Sequence, residues 1–313
     1  MESKEYAYKQ GNEGEDILLD VHWNASTPQD SSSTGHPIVM IFHGGGFVQG
    51  SKSIIPRIQI EELVRLGFVV VVPNFRLCPQ ISVFEGPVTD AKDCLRWVES
   101  SLGDVLHDEK NGLPVDQSRI VTMGHSCGAT LALLQAGSST SVIATLDFYG
   151  GKYFRDSCWH EPSQSALFLS APYYPESLTE QIYSGPQIST ATPVFGTPDL
   201  PPRDAWLSNA FKSGRHLELV VKDGDFDRVD PKSRFSGTFP PAMFIHGTDD
   251  TVTPLSISER AYEELKGLGV KTQILRIQGA DHMFDMLYTS PEEDYFKKNV
   301  SQGLEFLARE AGL

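Results

Sequence analysis

Ser126 stands between two glycines in Gly124-His125-Ser126-Cys127-Gly128, after the apolar run 120–123 and before the helix-forming stretch 129–136. Strand, sharp turn and helix in that order push the middle residue outward and set helix N–H groups beside it. A serine hydroxyl is a weak nucleophile. It needs a base, and the base needs an acid that orients it. Two later segments supply these types. His246-Gly247-Thr248-Asp249-Asp250 follows the apolar run 242–245 and offers two neighbouring carboxylates. Gly279-Ala280-Asp281-His282 follows the run 273–277 and offers a histidine. Serine, acid and histidine in that chain order can perform acyl transfer through a covalent intermediate.

Such side chains must be held at the ends of regular elements. Short apolar runs at 38–42, 68–72, 120–123, 142–148, 242–245 and 273–277 predict strands, and 17–23 alternates as an edge strand does. Unbroken β-branched runs indicate strands covered on both faces, as in a parallel sheet. Between them Ile60, Leu63 and Val64, then Val88, Ala91, Leu95 and Val98, recur at helical spacing. Ile257, Ala261, Leu265 and Leu268 do the same, as do Phe296, Val300, Leu304 and Leu307 near the C-terminus. The alternation predicts an α/β class with a mostly parallel central sheet flanked by helices. Residues 24–36, rich in Ser, Thr and Pro, read as a loop.

The rhythm breaks between 149 and 241. Prolines and aromatics crowd this stretch, and no Lys or Arg occurs between Arg155 and Arg203. A long excursion of this kind is usually functional. It is expected to cap the sheet's C-terminal edge. The expected organisation is therefore a core at 1–148, a cap insertion at 149–240, and the remainder of the core at 241–313.

Composition narrows the function classes. With 26 Lys and Arg against 41 Asp and Glu, the 313-residue chain carries a net charge of −15. That balance argues against phosphate-mediated nucleic-acid binding and against docking on anionic lipid. No segment reaches the length of a membrane span, and with Met1 to Glu5 lacking a basic stretch before an apolar run, no signal peptide is expected. The four cysteines, Cys78, Cys94, Cys127 and Cys158, form no C-x-x-C pair, so free thiols and a cytoplasmic location are expected. Asp223-Gly224-Asp225-Phe226-Asp227 suggests a calcium loop, but Arg228 and Arg234 occupy the positions where glycine and glutamate are required. No metal and no organic cofactor are expected.

The chain resembles an α/β-hydrolase, most closely the esterase/lipase branch related to hormone-sensitive lipase. His43-Gly44-Gly45-Gly46-Phe47 is similar to that branch's oxyanion-loop motif, and Phe75-Arg76-Leu77-Cys78-Pro79 to its Tyr-Arg-Leu-Ala-Pro segment. The resemblance runs from about Ile38 to Leu307. It implies the α/β-hydrolase fold and a Ser126, Asp250, His282 triad, the family spacing to Pro254 selecting Asp250 over Asp249. It also implies Gly45, Gly46 and Cys127 as backbone donors to an oxyanion. The sequence departs from the branch in having His125 and Cys127 on either side of the serine. His43 reads as a brace for the glycine loop and His246 as structural.

Phe47, Trp159, Tyr173, Tyr174, Trp206 and Met283 are candidates to line the substrate pocket. The expected activity is hydrolysis of a small to medium apolar ester or lactone, with a small-molecule substrate as partner, no nucleic acid or membrane, and the oligomeric state open. The alternatives are a tailoring hydrolase or cyclase of specialised metabolism and an arylformamidase-like amidase. A receptor-like binding module is a third, disfavoured by the presence of His282.

Overall fold

Eight strands form one sheet in the order β1-β2-β4-β3-β5-β6-β7-β8. The computed structural model describes residues 1–24, 35–109, 113–194, 199–288 and 290–313. Most of the expected loop at 24–36 lies outside the described residues.

The strands are β1 (Glu2–Gln10), β2 (Asp16–Trp23), β3 (His36–Phe42), β4 (Val69–Pro73), β5 (Val115–His125), β6 (Val142–Phe148), β7 (Ala242–Gly247) and β8 (Thr272–Ile277). Contacts from β1 to β2 and from β2 to β4 are antiparallel, and all others are parallel. The sequence reading anticipated seven of the eight but placed 17–23 at the edge, whereas β2 is paired on both sides by β1 and β4. It missed β1, because ESKEYAYKQ is rich in residues depleted from strands. Its position at the sheet edge explains the composition, since Lys and Glu there discourage pairing with another chain.

The helices are α1 (Arg57–Leu66), α2 (Thr89–Ser100), α3 (Leu102–Glu109), α4 (Cys127–Ala136), α5 (Ala166–Leu169), α6 (Glu176–Thr179), α7 (Pro202–Lys212), α8 (His216–Val221), α9 (Leu255–Gly267), α10 (Asp294–Phe296) and α11 (Gln302–Glu310). Two cores sandwich the sheet. Ile38, Met40 and Phe42 of β3 enter one, with residues of α2, α4 and α9. Val39 and Ile41 enter the other, with residues of α1 and α11. This explains the unbroken apolar run: both faces of the strand are covered. Each fully buried aliphatic side chain there stabilises the fold by about 1.5–3 kcal/mol.

Residues 149–240 follow β6 and precede β7. Their described part adds no strand to the sheet and contains α5 to α8. Among the described residues no helix is long and apolar enough to cross a membrane. The aspartates of the calcium-like segment pair with arginines instead: Asp223 and Asp225 with Arg228, and Asp227 with Arg155.

Candidate active site

Parallel register aligns the C-terminal ends of β3, β5, β6, β7 and β8. Phe42 pairs with Gly124, His125 with Phe148, and Gly247 with Ile277. Side chains that follow these strands therefore converge beyond one edge of the sheet, where open α/β sheets place their ligand crevices.

Ser126 lies in the turn from β5 to α4 with φ 54 and ψ −124. Its N–H donates to the Phe148 carbonyl at 2.9 Å, which fixes this strained conformation. The flanking glycines are required by close approach. A Cβ on Gly124 would fall 2.2 Å from the Gly128 carbonyl oxygen, and one on Gly128 would fall 2.1 Å from that of Phe42. Neither space admits a side chain.

His282 follows β8. Its Nε2 lies 3.0 Å from Ser126 Oγ and its Nδ1 lies 2.8 Å from Asp250 Oδ2. Asp250 Oδ1 accepts the N–H groups of Val252 at 2.9 Å and Thr253 at 2.8 Å. Burial alone would raise the Asp250 pKa. The hydrogen bonds and charges of His246 and His282 outweigh it and hold the carboxyl below the ordinary carboxylate range. Asp249 is exposed and accepts the Thr248 hydroxyl at 2.8 Å, outside this group. The ring of Tyr149 packs 4.5 Å from that of His282.

His246 is fully buried. Its Nε2 reaches the Thr253 carbonyl at 2.8 Å and Asp250 Oδ2 at 3.2 Å, and its Nδ1 lies 2.8 Å from Ser258 Oγ. Ser258 Oγ in turn accepts Lys152 Nζ at 3.1 Å, and Lys152 pairs with Asp147 at 2.7 Å. His125, Asp285 and Tyr149 form a second buried group below the turn. His125 Nε2 lies 3.0 Å from Asp285 Oδ2, and the Tyr149 hydroxyl donates to Asp285 Oδ1. Sequence reasoning missed both groups, because Lys152, Ser258 and Asp285 carry no local pattern that marks a partner.

The glycine loop lies against the same centre. Gly45 adopts φ 117, and a Cβ there would fall 2.0 Å from the Gln49 carbonyl oxygen. Gly45 and Gly46 line a cavity of about 80 Å³ together with Ser126 and His282. Cys127 opens α4, and its sulfur accepts the Phe47 N–H at 3.2 Å. Burial pushes the Cys127 thiol up to about 12, against the N–H groups of Phe47 and Gly46. A thiol so held is a poor nucleophile at neutral pH.

The pocket itself corrects the sequence expectation. Met283 lines the cavity, but Phe47, Trp159, Tyr173, Tyr174 and Trp206 do not. Phe47, Tyr174 and Trp206 are buried in packing, the Trp206 indole donating to the Tyr183 hydroxyl at 3.0 Å. Tyr173 is 68% exposed and lies under the Lys212 ammonium. Trp159 borders a second cavity of about 440 Å³, which shares Phe211 and Val252 with the first. The insertion contributes Leu167, Phe168, Pro193, Leu207 and Phe211 to the smaller cavity instead. Aromatic or apolar type was visible in the sequence. The direction in which each side chain points was not.

The arrangement holds a hydroxyl, an imidazole and a carboxylate in hydrogen-bonded series, at the mouth of an apolar space with backbone amides nearby. Such a group can attack an acyl carbon and stabilise the resulting negative oxygen.

Comparisons with known proteins agree with this architecture. The BD-FAE family model matches residues 20–162. The chain is 26% identical over 346 residues to the non-reducing polyketide synthase ausA of Emericella nidulans, covering 96% of this chain. The chain spans only 14% of the length of that relative. A protein of unknown function from Staphylococcus aureus superposes with a TM-score of 0.72 at 17% identity, over 97% of this chain and 99% of its own. Thermogutta terrifontis esterase 2, phosphoramylated by tabun, superposes with a TM-score of 0.65 at 19% identity, over 98% and 94% of the two chains.

Proposed function

We propose that this chain, an α/β-hydrolase by fold, is a serine hydrolase that cleaves carboxylic esters through an acyl-enzyme. The observation that carries the reading is the unbroken series Ser126 Oγ, His282, Asp250, with contacts of 3.0 and 2.8 Å. In this reading His282 Nε2 takes the hydroxyl proton as Ser126 Oγ attacks the ester carbonyl carbon. Asp250 holds the tautomer with hydrogen on Nδ1 and stabilises the imidazolium that forms. The N–H groups of Gly45, Gly46 and Cys127 receive the oxyanion. The C–O bond to the alcohol then breaks, and the imidazolium returns its proton to the departing oxygen. Water, deprotonated by His282, attacks the acyl-enzyme and releases the acid.

The apolar lining supports an uncharged acyl group, and Met283, Leu207 and Phe168 would contact it. The insertion 149–240 serves in this reading as the cap over the acyl site. The matched polyketide synthase supports a narrower version, in which the substrate is an aryl ester or thioester of polyketide type.

The test is turnover of p-nitrophenyl esters from acetate to octanoate, beside an aryl polyketide thioester and formyl-kynurenine. The reading predicts ester hydrolysis abolished by Ser126→Ala. Faster turnover of the thioester would select the narrower version, and exclusive turnover of formyl-kynurenine would replace ester hydrolysis with amide hydrolysis.

A further inference from the structure

The glycine loop is gripped from outside by the insertion. The Gly46 carbonyl accepts His216 Nε2–H at 2.8 Å, and the Val48 carbonyl accepts Arg203 Nη1 at 2.7 Å. Gly50 exchanges both backbone bonds with Ala191, at 2.7 and 2.9 Å. The Phe47 carbonyl is taken by the Cys78 N–H at 2.8 Å.

The peptide between Gly46 and Phe47 is held at both ends. A planar trans peptide points its C=O and N–H in opposite directions. His216 takes the first, and Cys127 Sγ takes the second at 3.2 Å. Rotation of this one peptide would break both bonds together and drive a carbonyl at the sulfur.

His216 is itself set by a stack. Phe211 lies 4.2 Å from its ring at 12°, and Phe168 lies 4.3 Å from Phe211 at 9°. Phe168 and Phe211 are walls of the cavity that contains Ser126. Burial pushes His216 down to about 4, so the imidazole is neutral. A carbonyl only accepts, so the ring hydrogen is on Nε2.

We propose that His216 is a positioning residue: its bond to the Gly46 carbonyl holds the oxyanion loop in working geometry, and the Phe168–Phe211–His216 stack ties that geometry to the wall of the acyl pocket. The proposal rests on the reading of Ser126 as nucleophile. Its consequence is that the insertion contributes to the chemical step as well as to the pocket shape.

Steady-state hydrolysis of p-nitrophenyl acetate by three variants of the 313-residue chain tests it. His216→Phe keeps a stacking ring and removes the donor, His216→Asn shortens the reach, and His216→Gln places an amide N–H near the original position. The expected result is a loss of about 100-fold in kcat for His216→Phe and His216→Asn, comparable to losing an oxyanion donor, with KM changed by less than about 3-fold. His216→Gln should recover most of the loss. The same order should appear in the rate of Ser126 phosphonylation by a fluorophosphonate. Thermal melts identify which variants fold, and whichever of His216→Phe and His216→Asn folds carries the test. A folded His216→Phe or His216→Asn variant with wild-type kcat overturns the proposal. So does equal loss in all three variants, which is what a purely structural role gives. Absence of both turnover and a Ser126 adduct in the wild type would instead overturn the underlying reading.

Discussion

His246 Nε2 lies 3.2 Å from Asp250 Oδ2, the same oxygen that His282 Nδ1 reaches at 2.8 Å. The tautomer behind this contact follows from its carbonyl neighbour. The Thr253 carbonyl only accepts, so His246 Nε2 must carry a hydrogen toward it, and Nδ1 is left facing Ser258 Oγ, which accepts from Lys152. The ring hydrogen of His246 is then on Nε2, facing the Thr253 carbonyl and Asp250. Asp250 thus receives two imidazole N–H groups and two backbone N–H groups, and stays ionised while it orients His282.

Asp250→Asn should lower kcat for a short aryl ester by about 10⁴-fold, because the amide favours the wrong tautomer of the partner histidine. Asp249→Asn, altering an exposed side chain outside the series, should leave kcat within about 2-fold of wild type. The reverse pattern would reassign the acid.

Lys152→Met should destabilise the fold by about 3–5 kcal/mol, since it strands the fully buried Asp147 carboxylate without its partner. Urea denaturation at neutral pH measures this directly. A loss below about 1 kcal/mol would show that Asp147 is satisfied by the Gly150 N–H and its surroundings alone.

Stability should fall as pH is lowered through the acidic range. Burial holds both His43 and His216 down to about 4 in the folded chain. Between there and the ordinary histidine value of about 6.5, the unfolded chain binds protons that the folded chain refuses. Their contribution is complete above that window and is lost across it, on the order of 1 kcal/mol per pH unit for each imidazole. Urea midpoints measured from pH 7 to pH 4.5 should decline accordingly, and His216→Phe should show a shallower slope. A flat wild-type profile would contradict the assignment.

Phe211, with Val252, lines both the small cavity at Ser126 and the larger one. Phe211→Ala should join them. The ratio of kcat/KM for p-nitrophenyl octanoate to that for acetate should rise about 10-fold, a fair return for two or three newly buried methylenes. Using the ratio cancels any common loss from disturbing His216. An unchanged ratio would show that long acyl chains leave by another route.

The strands around the site were legible because each carries a short apolar run, buried throughout in β4 and β7 and partly exposed in β8. Ser126, His282 and the Asp249–Asp250 pair were legible because each follows such a strand at its C-terminal end, in a glycine-bearing turn, and the family resemblance singled out Asp250 from the pair. The edge strand β1 was not, since its Lys and Glu residues answer to solvent and to the open edge. The insertion was legible only as an interruption: α5 and α6 have four residues each, too short for helical periodicity to register. Trp206 and Phe211 belong to the same helix and are equally conspicuous in sequence, yet one is packed away and the other lines the cavity. His216 shows no pattern at all, because its partner is a carbonyl 170 residues away.

The central claim is that Ser126 becomes acylated with His282 as its base. Intact mass and peptide mapping after reaction with a fluorophosphonate test it most directly. The account predicts one adduct per chain, on Ser126, with parallel loss of ester hydrolysis, and no adduct in Ser126→Ala. Folded wild-type protein that hydrolyses esters yet carries no adduct, or carries it on another residue, would contradict it.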